Sequence, residues 1–295
     1  MTYLPPITTP LRTIGGRVFD FAHEIVVMGI VNRTPDSFYD AGLTYALELA
    51  VEAGQREAAD GAGWVDVGGV PFSPDVPTVS VAEELDRVVP VVARLVDGGV
   101  VVSVDTVRPE VARAAIAAGA GVINDTSGLH DPEIADVVAD SAATLVITHS
   151  AAPPGQRLRR PRYDDVVSEI RAFLVSRVER AIGRGVPEDK IVIDPGHDLN
   201  KNTLHSLEIT RRLTEIADLG LPLLAAVSNK DFVGEAVGLD RGERLEASLA
   251  AATICALNGA RILRMHKVRE SVRAAQMVEA VLGLREPAYL RHNLT

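Results

Sequence analysis

Short apolar runs alternate with longer amphipathic ones from Ile25 to Val281, and nearly every apolar run stops abruptly at polar residues. The runs are Ile25–Val31, Trp64–Val67, Val100–Val104, Gly121–Ile123, Thr144–Ile147, Ile191–Ile193, Leu221–Val227 and one holding Ile262–Met265. Strands that are apolar at successive positions are buried on both faces, as in a parallel sheet. The segments between them read as helices. Residues 43–60 are rich in Ala, Leu and Glu. Ser80 and Glu83 form a capping box, and Leu85, Val88, Val89, Val92 and Leu95 fall on one helical face. Pro109 suits a first turn, Asp131 and Pro132 open another helix, and further helices span Asp164–Ile182 and Val268–Val281. Eight such strands predict an α/β fold of the (β/α)8 TIM-barrel type. A doubly wound open sheet is the alternative. Pro5, Pro6, Pro10 and the pair Gly15–Gly16 read as a short N-terminal hairpin or arm. With no linker to split it, the chain is expected to be a single domain over residues 1–295.

Composition narrows the class. Hydrophobic residues make up 47% of 295 residues, enough for a large core. A net charge of -10 argues against nucleic acid or an anionic membrane as the main partner. The single cysteine, Cys255, lies in an apolar segment and reads as a buried, inert thiol. The opening MTYLPPITTPLRT lacks the regions of a signal peptide. No run approaches the roughly 18 apolar residues of a membrane span. A cytoplasmic protein is expected.

The first run continues as Asn32, Arg33, Thr34, Pro35, Asp36 and Ser37, where Pro35 cannot continue a strand. Chemistry in α/β folds sits past the carboxyl ends of strands. The polar residues at or just past those ends are Asn32, Asp105, Asn124, His149, Asp194, Lys230, Arg264 and His266. Such a ring suits a flat, polar heterocycle with an anionic tail. Carboxylates accept from an aminopyrimidine edge, an Asn both donates and accepts, and an Arg offers a plane and a fork for phosphate. Arg264, His266 and Asn32 are the candidates for the anion. Other motifs fail: Gly119–Gly121 precedes a strand and lacks a third glycine, no Walker loop is present, and His197 and His205 lack zinc spacing. Arg157, Arg159, Arg160 and Arg162 read as a solvated loop.

Several stretches resemble the dihydropteroate synthase family. MGIVNRTPDSFYDAG is similar to its first signature, and GGVPFSPDVPTVSVAEELDRVVPVV is similar to a divergent second one. VSVDTVRPEVARAAIAAGAGVINDTSG, DPGHDLNKNTLHSLEITRRL, SNKDFVGE and RMHKV follow in the family's order, over about residues 23–282. The family joins 4-aminobenzoate to a dihydropterin methyl diphosphate with the help of magnesium. The resemblance implies pterin contacts at Asp105, Asn124, Asp194, Lys230 and Arg264. It implies anion contacts at Asn32, Arg264 and His266, metal binding at Asn32, and catalytic roles for Asp40 and Lys230. It also implies a homodimer, and sulfonamide or sulfone analogues of aminobenzoate as ligands.

The departures lie on the acceptor side. The family's Thr-Arg pair in the second loop is Phe72–Ser73 here, with Pro74 kept. Leu199 replaces a Phe, Asp198 and Asn200 replace glycines, and Asn229 and Asp231 flank the Lys. Val after the first-loop Asn is Arg33, whose charge is a candidate to offset the lost loop Arg. Asp198 and Asp231 are expected to repel a carboxylate acceptor. The expectation is a dihydropteroate synthase-like protein with a retained pterin pocket and weak or absent synthase activity. A working synthase is the alternative.

Overall fold

A computed structural model describes residues 4–34, 46–71, 78–156 and 158–292. A hairpin of β1 (Leu11–Ile14) and β2 (Arg17–Asp20) precedes the barrel. The barrel strands are β3 (Val26–Asn32), β4 (Trp64–Gly68), β5 (Val102–Asp105), β6 (Val122–Asp125), β7 (Thr144–Thr148), β8 (Ile191–Asp194), β9 (Leu223–Ala225) and β10 (Ala260–Arg264). They pair in parallel in the order β10-β3-β4-β5-β6-β7-β8-β9 and close, which excludes the open sheet. The β9 strand is shorter than the predicted Leu221–Val227.

The helices that cover the barrel are α1 (Leu47–Ala59), α2 (Val81–Asp97), α3 (Pro109–Ala117), α4 (Glu133–Ala139), α5 (Val166–Gly183), α6 (Thr203–Arg211), α7 (Leu213–Ala217), α8 (Asp231–Val237), α9 (Leu245–Leu257) and α10 (Val268–Leu282). In α2, Ser80 Oγ accepts from Glu83 N at 3.2 Å, but the Glu83 side chain pairs with Arg87, so the box is only half formed. The buried face of α2 is also rotated from the predicted one. Glu84, Arg87, Val88, Val91, Val92 and Leu95 are buried, while Leu85 and Val89 are half-buried. Glu84 can face inward because Thr106 Oγ1 and Arg108 Nη1 donate to it, at 2.6 and 2.7 Å.

Two apolar layers follow from the strand period of two. One lies between sheet and helices and holds Ile123, Ile147 and Ile193. The other fills the bore and holds Met28, Trp64, Val122, Val146, Val192, Leu224 and Ile262. The hairpin closes its amino-terminal end. Ile14, Phe19 and Phe21 join the bore cluster, with both rings edge-on to Trp64 at 5.9 and 6.3 Å. Arg12 Nη1 donates to Ile191 O at 2.7 Å and pins the hairpin to β8. A Cβ on Gly121 would meet Gly15 Cα at 2.8 Å, so this close approach requires glycine.

A candidate ligand site at the carboxyl mouth

The alternation that fills the bore with Trp64, Val122, Val192 and Ile262 brings the residue two further along each strand to the same inner face. Those residues are Asp66, Asn124, Asp194 and Arg264. A polar tier therefore caps the apolar one. On β5, Ser103 and Asp105 share this face, while Val102 and Val104 join the outer layer.

Asp66 is the centre of that tier. It has 0% exposure. Ser103 Oγ donates to it at 2.6 Å, Asn124 Nδ2 at 3.1 Å and Arg264 Nε at 2.7 Å. Arg264 Nη2 lies 3.6 Å from Asp105 Oδ2, so the guanidinium bridges two carboxylates. Burial and the nearby Asp66 charge push the Asp105 carboxyl up to about 7, against the pull of Arg264. Thr126 Oγ1 also donates to Asp105, at 3.3 Å. Burial raises the Asp194 carboxyl too, although Gly196 N donates to it at 2.7 Å and Lys230 and Lys201 oppose the shift. Burial lowers the Lys230 ammonium, countered by Asp198, Asp194 and Asp105.

Asn32 ends β3 opposite Gly68 of β4, while Arg264 on β10 pairs with Met28, four residues earlier on β3. Asn32 Oδ1 lies over Gly68, where a Cβ would come within 3.2 Å. His266 Nδ1 shares a hydrogen with Ser228 Oγ at 2.9 Å. Asp105, Asn124, Asp194, Lys230, Arg264, Asn32 and His266 thus belong to strand ends and following turns on one face. His149 does not join them. It turns outward onto Phe173 of α5, with ring centroids 4.7 Å apart, and burial and then Lys201 push its imidazole down to about 2. Asp40, Phe72, Ser73, Pro74 and Arg157 lie outside the described residues.

The two replaced glycines, Asp198 and Asn200, and the neighbouring-loop Asn229 lie in the conformation that glycine favours. Asp198 has φ +65°, Asn200 +51° and Asn229 +57°, in the left-handed region that Asn and Asp tolerate best after glycine. Each side chain then takes a new task. Asp198 Oδ2 accepts from Asp231 N at 2.7 Å and Phe232 N at 3.3 Å, at the start of α8. Asn200 Oδ1 accepts from Leu158 N at 2.8 Å, and its carbonyl accepts from Tyr163 Oη at 3.0 Å. Asp231 is bound by Arg241 and Arg244, whose hydrogen bonds outweigh burial and lower its carboxyl. Arg244 also donates to Lys230 O at 3.0 Å, and fits only because Gly234 has no Cβ. The expected repulsion from Asp231 is therefore answered within the protein.

Arg33 reaches the backbone of α2. Its Nη1 donates to Asp86 O at 2.8 Å and Arg87 O at 3.0 Å. Asp86 O is the carbonyl four residues before Pro90, which has no N–H to give it.

Sequence reasoning missed Asp66 and Lys201. Lys201 Nζ is buried among His149 Nδ1 and the carbonyls of Gly196 and Leu199, at 2.8, 2.8 and 3.0 Å, and ties the turns after β7 and β8 together. Asp66 carried a signal, being a carboxylate inside an apolar strand, where burial demands donors.

The comparisons with known proteins agree with this geometry. Residues 28–266 match the family model described as "Pterin binding enzyme". "Inactive dihydropteroate synthase 2" of Mycobacterium tuberculosis (strain ATCC 25618 / H37Rv) is 44% identical over 269 residues, 89% of this chain and 84% of that protein. "Dihydropteroate synthase" of Escherichia coli (strain K12) is 38% identical over 272 residues, 92% of this chain and 96% of that protein. The structure of Xanthomonas albilineans dihydropteroate synthase with 4-aminobenzoic acid superposes with a TM-score of 0.85 at 40% identity, over 92% of this chain and 98% of that one. With its closed barrel, its inner polar tier and relatives matched over most of its length, the chain belongs to the dihydropteroate synthase family.

Proposed function

We propose that this single-domain protein binds a pterin in the inner polar tier and turns over poorly, or not at all, as a synthase. The observation that carries the first half is the tier itself. Asp105, Asn124 and Asp194 supply acceptors, Lys230 and Arg264 supply donors, and the apolar bore gives the ring a floor. A flat aminopyrimidine matches this arrangement of acceptors around its N–H edge. Asn32, Arg264 and His266 are assigned to the ligand's diphosphate. A magnesium ion fits this set if Asn32 gives one oxygen and the diphosphate gives others, because magnesium retains waters and few protein ligands. Bound magnesium would neutralise charge on departing diphosphate. Lys230 is assigned to the ring, and Asp40 to catalysis.

The second half rests on α8. Its first two N–H groups are already taken by Asp198. A carboxylate acceptor such as 4-aminobenzoate meets an occupied helix start rather than free donors. A resemblance to an inactive relative and to active synthases alike is consistent with this split between a kept floor and a changed acceptor side. A cytoplasmic homodimer is part of the same reading.

The test is calorimetry with a hydroxymethylpterin, beside a steady-state assay with dihydropterin diphosphate and 4-aminobenzoate. Pterin binding with little turnover is expected. Absence of pterin binding overturns the first half. Full complementation of a strain lacking its own synthase, at ordinary expression, overturns the second.

A further inference from the structure

Asp66 is fully buried, sits in the middle of an apolar strand, and has no contact role among the residues assigned to the ligand above. Its three donors are Ser103, Asn124 and Arg264. Two of these are ligand residues. A carboxylate facing a guanidinium only accepts hydrogen bonds. The Asn124 atom turned toward it is therefore the amide nitrogen, and the amide oxygen lies on the other side of the group. That Oδ1 is buried and meets no donor among the described residues. A buried acceptor without a donor is costly and marks a place where a partner arrives.

We propose that Asp66 is a positioning residue that fixes the hydrogen-bond polarity of the floor: it holds the Asn124 amide with its oxygen open and the Arg264 guanidinium beside it, so that the site selects a ligand edge presenting an N–H. This rests on the pterin reading and deepens it. With Asn124 Oδ1 open, three acceptors from β5, β6 and β8 face the ligand. Such a floor favours a 2-amino pteridine over one carrying a carbonyl at that place. Release the amide from Asp66 and it turns freely, offering nitrogen as readily as oxygen.

The experiment compares a hydroxymethylpterin with the corresponding lumazine, whose 2-amino group is a carbonyl, by calorimetry. In Asp66→Asn the pterin affinity is expected to fall by roughly 10- to 100-fold, the loss of one hydrogen bond to a charged group. Lumazine affinity falls less, so discrimination between the two shrinks. Combining Asp66→Asn with Asn124→Asp reverses the inward bond while keeping an outward acceptor, and recovers at least part of both affinity and discrimination. Equal losses for both ligands, no loss, or no recovery in the double variant overturns the proposal. Should Asp66→Asn fail to fold, Ser103→Ala removes one donor to Asp66 outside the ligand set. It is expected to weaken discrimination severalfold, and unchanged discrimination counts against the proposal. If the parent binds no pterin, the functional reading falls on its own. The Asn124 side-chain amide then still reports by ¹⁵N NMR without ligand: an exchange-protected amide proton that is lost in Asp66→Asn supports the inference, and one that persists overturns it.

Discussion

Two carboxylates, Asp66 and Asp105, share one guanidinium, and the charge of Asp66 bears on Asp105. A carboxyl raised to about 7 in the folded state but ordinary in the unfolded chain binds more protons when folded between those values. Its contribution to stability is fully present below the unfolded value near 4 and is lost as pH rises through about 7. Replacing Asp105→Asn removes that loss. The variant is expected to melt higher than the parent at pH 8, with the difference shrinking at pH 5, as thermal denaturation at both pH values will show. The same variant is expected to bind pterin more weakly at pH 8, since removing a charged partner from a buried site typically costs about 2–5 kcal/mol. Stability and ligand affinity then move in opposite directions at one residue. Most of this site was legible in the sequence, because polar residues at strand ends announce themselves against an apolar run. Asp66 gives no such strand-end signal, because it stands inside its run; its signal is a carboxylate among apolar neighbours. Only the period of two, counted back from the mouth, puts it in the tier.

At the level of elements, the turns after β8 and β9 carry Asp198, Asn200 and Asn229 in the left-handed conformation. Asp198→Gly keeps the positive φ and removes the cap on α8 together with the acceptor for Ser206 Oγ. It is expected to lower stability by about 1 kcal/mol, the usual worth of a side-chain cap. It is also expected to strengthen 4-aminobenzoate binding to the pterin-loaded protein, measured by calorimetry, because Asp231 N and Phe232 N are then free. Unaltered acceptor binding would remove the self-capping of α8 from the causes of low turnover. A second test concerns α2. Arg33→Met leaves Asp86 O without its guanidinium partner and is expected to cost about 1 kcal/mol. In a Pro90→Ala background the helix supplies its own N–H to that carbonyl, so the cost of Arg33→Met shrinks. Chemical denaturation of the four proteins in the cycle measures the coupling. Neither contact was legible beforehand. A replaced glycine reveals that a turn is present, but not which distant N–H its new side chain will reach. Arg33 and Pro90 are far apart in sequence, and their relation depends on how α2 packs over the mouth.

For the whole molecule, the eightfold alternation was enough to foresee the barrel, since eight doubly buried strands joined by helices have few other ways to satisfy their edges. The rotated face of α2 was not foreseeable, because Glu84 and Arg87 are buried by one another's neighbours rather than by hydropathy. A surface feature bears on the proposed homodimer. The α9 segment LEASLAAATICAL is apolar on nearly every side, yet Ile254 is exposed, as are Met277 and Val281 on the adjoining α10. A helix apolar all round is normally covered, and a second copy of the chain is the cover expected here. Light scattering at micromolar concentration should give a dimer, and Ile254→Glu with Met277→Glu should shift it toward monomer. On the inner side of the same helix, Cys255 is fully buried and its thiol is pushed up to about 12 by burial. As the chain's only cysteine, it leaves the molecule with no addressable thiol. A single cysteine introduced on the rim, for instance at the exposed Leu204, becomes the one place a fluorophore or spin label can attach. The native sequence is thus ready for site-specific spectroscopy of ligand arrival, with no background to engineer away.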